Sequence, residues 1–391
     1  MSDQSPSDTP APRRPTTRRH RRAVWLTIVA TQLVVALATV SVAYFVHKGW
    51  NDNIAPGETI EHKVEKTLPA GVSKKAEDQP LNILVMGSDT RVGKGNGIDG
   101  ENRDGSQRSD TVILLHVSQD RSHAYGVSLP RDAIIDRPDC KIDGENVPGE
   151  DGVRFNTAFQ VGGAQCTVQT VEALTGVYID HFLVLDFNGF KDMVDAVDGV
   201  EVCIPEEVDD PKHDIYLDAG TQVLTGQDAL NYVRERYVLS VTGDIGRMKR
   251  QQAFIASMIN KVFSADVLSQ PGKVNAFLNA VTSSIQVDDK LDSVGKLFDL
   301  AMEFRDTGLD KIKFITVPIA PDPANPMVTL VWTDAADKLW QRIIDDEQLG
   351  KDFTEGSIAA DSGVGTEKTD DDDKKTKQDD AADRAAAGLC V

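Results

Sequence analysis

Twenty-four consecutive residues without a formal charge, Ala23 to Val46, set the strongest limit on what this chain can become. Val, Leu, Ala and Ile dominate the run, and as a helix rising ~1.5 Å per residue it reaches about 36 Å, enough to cross the hydrocarbon core of a bilayer. A cleaved signal peptide is the alternative, but its apolar core is shorter and a small-residue cleavage site follows it. Neither feature is found here, so the run reads as an uncleaved anchor. Residues Met1–Arg22 carry six arginines (Arg13, Arg14, Arg18, Arg19, Arg21 and Arg22) among Pro, Ser and Thr, without hydrophobic periodicity, and form a basic tail. The arginines precede the helix and the acidic bulk follows it. The positive-inside bias therefore predicts a single-pass protein of the cell membrane, with its N-terminus cytoplasmic and its C-terminal domain extracytoplasmic.

The formal net charge is −20, and the one dense basic cluster is already explained by topology, which argues against nucleic acid as a partner. The four cysteines, Cys140, Cys166, Cys203 and Cys390, all follow the anchor, on the side where disulfides persist. None shows CxxC spacing, and the seven histidines are scattered, so neither zinc nor a histidine-based metal site is expected. Four cysteines allow three full pairings. Cys140 with Cys166 is favoured because both sit in loop-like sequence close along the chain, leaving Cys203 with Cys390.

Residues 47–80 are polar, with Gly/Pro breaks, and read as a stalk. The globular region is expected over 81–350. Leu81–Met86, Thr111–Val117, His123–Leu129, His181–Phe187 and Val200–Pro205 are short apolar runs bounded by turn residues, as buried strands are. Helical stretches interleave them at Thr167–Thr175, Phe190–Val197, Gly226–Arg236 and Asp244–Phe263, which points to a layered α/β sheet. Two amphipathic segments (Lys273–Val281 and Lys290–Arg305), a late strand (Lys311–Val317) and a closing helix (Trp332–Ile344) follow. Residues 351–391 lack apolar periodicity and read as an acidic disordered tail. There is no internal repeat.

The absence of GxSxG, HExxH and GxxxxGK[ST] removes three common chemistries. Gly95–Gly100 fits GxGxxG but opens no helix, so a dinucleotide site is not expected there. What remains is Asp and Arg gathered at predicted strand and helix ends. Asp89 and Arg91 follow the first strand, where open α/β sheets bind ligands. Arg108 and Asp110 precede the second. Arg131 and Asp132 follow the third. Arg234 and Arg236 are two apart and can reach one anion only if their helix ends there. Asp244 reads as a helix N-cap, and Arg247 and Gln251, four apart, share a face. Each of these taken alone reads equally as a turn, a cap or a solvated surface residue. Together, guanidinium forks that bind phosphate oxygens bidentately and carboxylates that hold a hard divalent cation fit phosphoryl transfer.

The blocks NILVMGSDTR (82–91), RSDTVILLHV (108–117), VSLPRD (127–132), RFNTAFQVGGAQCTVQTVEALTG (154–176), YIDHFLVLDFNGFKDMVDAVDGVEV (178–202), LTGQDALNYVRERY (224–237) and DIGRMKRQQ (244–252) run in continuous order. In these the chain resembles the LytR-CpsA-Psr (LCP) family over Leu81 to about Phe263. The resemblance implies a layered α/β/α domain with a central mixed sheet behind one transmembrane helix. It also implies a phosphotransferase that moves a polyprenyl-pyrophosphate-linked glycopolymer onto a peptidoglycan hydroxyl, using Mg²⁺ or Mn²⁺. By motif, Asp89 and Asp110 would bind the metal. Arg108, Arg131, Arg234, Arg236, Arg247 and Gln251 would grip the pyrophosphate, with Asp89 or Asp132 as candidate base. Apolar residues between Thr167 and Val200 would line a lipid tunnel. The cysteine positions look like those of wall proteins of high-GC Gram-positive bacteria, which points to arabinogalactan or a related polymer. A polyprenyl-pyrophosphate hydrolase would use the same residues with water as acceptor. A non-catalytic wall-binding or regulatory protein is the rival from another class.

Overall fold

A computed structural model describes residues 17–55, 57–69, 79–88, 109–240, 242–361 and 381–390. The chain divides into two units, Met1–Gly49 and Trp50–Val391. Helix α1 (Thr17–Asn53) accounts for the first. Within it, the most apolar 18-residue stretch of Val24–Asn53 has a mean hydropathy of 2.1 and is not buried in protein, so the helix is long and apolar enough to cross a membrane.

The second unit is organised on seven strands: β1 (Leu81–Ser88), β2 (Ser109–Val117), β3 (Ala124–Leu129), β4 (His181–Asp186), β5 (Ile285–Val287), β6 (Ile312–Thr316) and β7 (Ile358–Ala359). Their order across the sheet is β5-β4-β1-β2-β3-β6-β7. β1, β2 and β3 are successively antiparallel, whereas β4 joins β1 and β6 joins β3 in parallel, so the sheet is mixed. The central strands are Val, Ile and Leu rich because both faces are covered.

One face packs Leu84, Met86, Leu114 and Val127 against Val168 and Val171 of helix α2 (Thr157–Thr175) and against Leu339 and Trp340 of the helix Asp334–Ile344. The other packs Val117, Ala124 and Phe314 beneath Ala256 and Ile259 of a long helix over Asp244–Val262. A further buried cluster joins helices α3 (Phe187–Ala196) and α4 (Gly226–Arg234), the hairpin Val200–Ile204 with Gly220–Leu224, and that long helix, named α5 below. The result is the expected α/β/α layering.

Several sequence expectations need correction. Val200–Pro205 does form a strand, but in a separate two-stranded hairpin. Helix α2 starts ten residues before the expected Thr167, and it kinks at Gly162 and Gly163 (φ 55°, ψ −143°), a backbone region open essentially to glycine alone. Cys166 therefore sits on a helix rather than a loop. The expected stalk is only partly one. Ile54 and Ile60 are buried in the domain, and Glu172 of α2 accepts from the Lys63 backbone at 2.6 Å and contacts His62 Nδ1 at 2.8 Å. The apolar residues between Thr167 and Val200 are divided between two buried clusters.

The acidic tail is corrected too, for its described parts. Residues 358–359 form the sheet's last strand, and Ala387 and Leu389 are buried against α5 and β6. A predominantly polar segment can fold there because it is held from outside: Cys390 is disulfide-bonded to Cys203 across 187 residues, and Cys140 to Cys166 across 26. Both expected pairings are present. Closing so long a loop restricts the unfolded chain strongly, with a model-dependent gain of about 2–4 kcal/mol. The double variant Cys203→Ser, Cys390→Ser is therefore expected to lower unfolding free energy by that amount in denaturant titrations. A loss below about 0.5 kcal/mol would show that the C-terminal segment stays docked without its crosslink.

Candidate active site

Four elements bring their charged residues to one end of the sheet. Asp110 opens β2, Arg131 and Asp132 follow β3, Arg234 and Arg236 straddle the end of α4, and Asp244 and Arg247 lie in the first turn of α5. The end of α4 is made by Glu235, which leaves helical geometry (φ −58°, ψ 140°). Its carboxylate accepts from the backbone N–H groups of Tyr237, Val238 (2.8 Å) and Leu239 (3.0 Å). Glu235 is 1% exposed and Arg250, its ion-pair partner at 3.5 Å, is 0% exposed. Arg250 also donates to the carbonyls of Glu235 and of Ala387, the latter at 2.9 Å. This buried lattice turns the backbone so that Arg234 and Arg236 border the same cleft, of about 160 Å³, as Asp110 and Arg247.

Inside the cleft, Arg131 donates through Nη1 to Asp110 and lies 3.2 Å from Asp132 and 3.7 Å from Asp244. Arg236 stands 3.9 Å from Asp110 and 3.8 Å from Asp244. Arg247 Nη2 meets Asp244 at 2.7 Å. Burial by itself pushes the Asp110 carboxyl up, but the charges of Arg131, Arg247 and Arg236 outweigh it and hold the carboxyl below its ordinary value. Asp110 is thus a carboxylate throughout the neutral range. Arg247 is only 2% exposed; burial, resisted by Asp244 and reinforced by Arg236 and Arg131, brings its guanidinium down to about 10. It remains a cation at neutral pH, and its buried Nε has no hydrogen-bond partner. A buried donor without an acceptor is costly.

The cleft gathers Asp110, Arg131, Asp132, Arg234, Arg236 and Arg247 from the expected set. Asp89, Arg91 and Arg108 lie outside the described residues. Arg234 is placed with its guanidinium 4.9 Å from the Phe187 ring centroid. Gln251 borders Asp110, Arg131 and Arg247, but its amide nitrogen donates to the Val233 carbonyl at 3.1 Å and helps join α5 to α4. Asp132 is additionally reached by Arg154 at 3.5 Å, a residue that sequence reasoning did not single out.

Asp244 is the main omission. It was expected to cap α5, but Gly243 (φ 58°) holds the cap position. Asp244 contacts Arg131, Arg236 and Arg247 instead, and its buried Oδ2 is without a hydrogen-bond partner. Its place in the DIGR block was the only signal. Hard carboxylate oxygens on Asp110 and Asp244, one of them orphaned, suit the one or two carboxylates Mg²⁺ typically takes.

The profile of the LytR_cpsA_psr family matches residues 43–344, which include every described element of this cleft. The chain belongs to that family. The cell wall biosynthesis protein LcpA of Corynebacterium glutamicum is 33% identical over 268 residues, 62% of this chain and 51% of LcpA. The chain thus spans about half of that relative's length. The polyisoprenyl-teichoic acid–peptidoglycan teichoic acid transferase TagU of Enterococcus faecalis is 29% identical over 293 residues, 75% of this chain and 86% of TagU. Among solved structures, protein gbs0355 of Streptococcus agalactiae superposes with a TM-score of 0.56 at 25% identity, over 75% of this chain and 96% of that one.

In this LCP protein the buried Glu235–Arg250 pair is the support on which the cleft arginines rest. Removing one partner of a buried pair leaves an uncompensated charge, at a cost of about 3–5 kcal/mol. Arg250→Met is expected to lose that much in denaturant unfolding, and adding Glu235→Gln to recover part of it. An Arg250→Met protein within about 1 kcal/mol of wild type would contradict this role.

Proposed function

We propose that this LCP protein is a membrane-anchored phosphotransferase that moves a polyprenyl-pyrophosphate-linked glycopolymer onto a peptidoglycan hydroxyl through a phosphodiester bond. The observation that carries the reading is the convergence of Arg131, Arg236 and Arg247 on Asp110 and Asp244 beside a cleft that Arg234 also borders. Guanidinium forks held this close together can bind the two adjacent phosphate groups of a pyrophosphate diester bidentately. The names of the wall-biosynthesis and transferase relatives support the polymer and the acceptor.

In this reading the acceptor oxygen attacks the phosphorus that carries the glycan, the bond to the prenyl phosphate breaks, and that phosphate leaves with the electron pair. Arg131, Arg236 and Arg247 hold the phosphoryl oxygens and compensate charge as it moves toward the leaving group, from positions fixed before the reaction. Asp132, between Arg131 and Arg154, is the described candidate to take the acceptor's proton; Asp89 is the other. Asp110 and Asp244, with Asp89, would hold Mg²⁺ or Mn²⁺, which would neutralise pyrophosphate charge when bound. Helix α1 would anchor the enzyme, with the arginine-rich tail in the cytoplasm and the domain outside.

The test is transfer from a synthetic lipid-pyrophosphate glycan to peptidoglycan oligomers, with Mg²⁺ or EDTA. Removing one preorganised stabilising group costs on the order of 10²–10³ in rate. Asp110→Ala and Arg236→Ala are each expected to lose at least that much linked product, and EDTA to abolish it. Release of free phosphorylated glycan without linkage would instead identify a hydrolase. Donor binding without chemistry would identify a wall-binding or regulatory protein.

A further inference from the structure

Six residues beyond Asp110 on β2, about 20 Å away at ~3.3 Å per residue, the opposite end of the sheet carries a second cluster of metal-ligating side chains. His116 on β2, His123 just before β3 and Asp346 after the helix Asp334–Ile344 each present a ligand atom, and these atoms lie within 4.8 Å of one another. The cluster borders an open cavity of about 330 Å³, and the reaction proposed above has no use for it.

Hydrogen bonding decides which atoms face inward. Asn82 donates through Nδ2 to the Tyr178 carbonyl at 3.0 Å, so its Oδ1 is the end that accepts from His116 Nδ1 at 2.8 Å. With the proton on Nδ1, a neutral His116 turns the lone pair of Nε2 toward Asp346 Oδ1, 3.1 Å away. Two lone pairs at that distance require a cation between or beside them, either a second proton on the ring or a metal. His123 distinguishes the two. It is 7% exposed, its Nδ1 contacts Ser122 Oγ at 2.9 Å, and its Nε2 is buried without any partner. A second proton on His116 leaves that nitrogen orphaned, whereas a metal ion satisfies it.

The surroundings match what metal-bound histidines need. Each ring has a partner at its other nitrogen, as ligating histidines almost always do, and Asp346 Oδ2 is oriented by the Gln119 backbone N–H at 3.1 Å. For bonds of roughly 2.05 Å, tetrahedral ligand atoms stand about 3.3 Å apart, close to the observed His116–Asp346 separation.

We propose that His116 Nε2, His123 Nε2 and Asp346 form a site for one borderline divalent cation of the zinc type, with a fourth position open to water from the cavity. Two imidazoles and one carboxylate suit Zn²⁺ better than Mg²⁺ or Ca²⁺. An ion there ties the β2–β3 hairpin to the turn at Asp346, whose backbone adopts a positive φ of 56°.

The test uses the full-length, detergent-solubilised chain, stripped of metal and dialysed against zinc chloride alone. Expected are one tightly held zinc per chain, a higher melting temperature with zinc than with EDTA, and a four-coordinate visible spectrum with Co²⁺. His123→Gln is expected to weaken binding at least 100-fold while melting like wild type in EDTA, and Asp346→Asn serves as the second variant should the first misfold. Ser122→Ala, which removes only an outer partner, is expected to weaken binding about 10-fold. Asp110→Asn is expected to leave it unchanged. A wild-type chain that holds no zinc leaves the His116–Asp346 contact as a protonated pair and overturns the proposal. Equal binding by His123→Gln and Asp346→Asn, or loss on Asp110→Asn, overturns it as well.

Discussion

Glu235 and Arg250 meet inside the protein with neither side chain exposed to solvent, and the geometry of the cleft follows from that contact. Three backbone amides after α4 point at the Glu235 carboxylate, so the helix cannot continue and the chain turns. The turn solves a problem that helical spacing alone would leave open, because residues two apart face different directions on a helix. Arg250 answers the Glu235 charge and also accepts a structural task at the far end of the chain, through the Ala387 carbonyl. The C-terminal segment, crosslinked by Cys203–Cys390, thereby helps build the wall behind the cleft.

The cleft itself is a compromise between like charges. Arg131, Arg236 and Arg247 would repel one another if gathered alone; Asp110 and Asp244 sit between them and keep each fork within about four ångströms of a carboxylate. The sheet makes this possible. β2 fixes Asp110, the chain after β3 fixes Arg131, and Gln252 fastens α5 to β3 and β6 by donating to Ser128 Oγ at 2.8 Å and the Ile315 carbonyl at 2.9 Å. Arg247 and Asp244 are thus held relative to β2 by packing and hydrogen bonds rather than by loop conformation. Preorganisation of this kind lets charged groups act without rearranging at the moment of reaction.

The layered fold was legible in the sequence because the central strands are apolar on both faces and bounded by turn residues, and because the helices between them carry apolar stripes. The arginines and Asp110 were legible as blocks, though each was ambiguous alone. What escaped was set by tertiary context. Asp244 looked like a cap, since Asp before an amphipathic run usually is one, yet Gly243 takes the turn and frees Asp244 for the cleft. Glu235 and Arg250 were not singled out, because nothing local announces that two opposite charges will be buried together. The last strand and the segment over 381–390 lack apolar periodicity, and they fold because an edge of the sheet and a disulfide receive them. Segment 50–69 reads as polar linker, but two isoleucines and the buried acceptor Glu172 suffice to dock it. Asp89 and Arg108, named from the motifs, lie outside the described residues.

The claim on which the account turns is that the guanidiniums of Arg131, Arg236 and Arg247 around Asp110 are arranged for a pyrophosphate. A crystal structure of the protein with a short-chain prenyl pyrophosphate addresses it most directly. The expected result places phosphoryl oxygens within hydrogen-bond distance of Arg131, Arg236 and the Nε of Arg247, beside Asp110 and Asp244. Phosphates bound elsewhere, with Arg247 Nε still unpaired, would contradict the account.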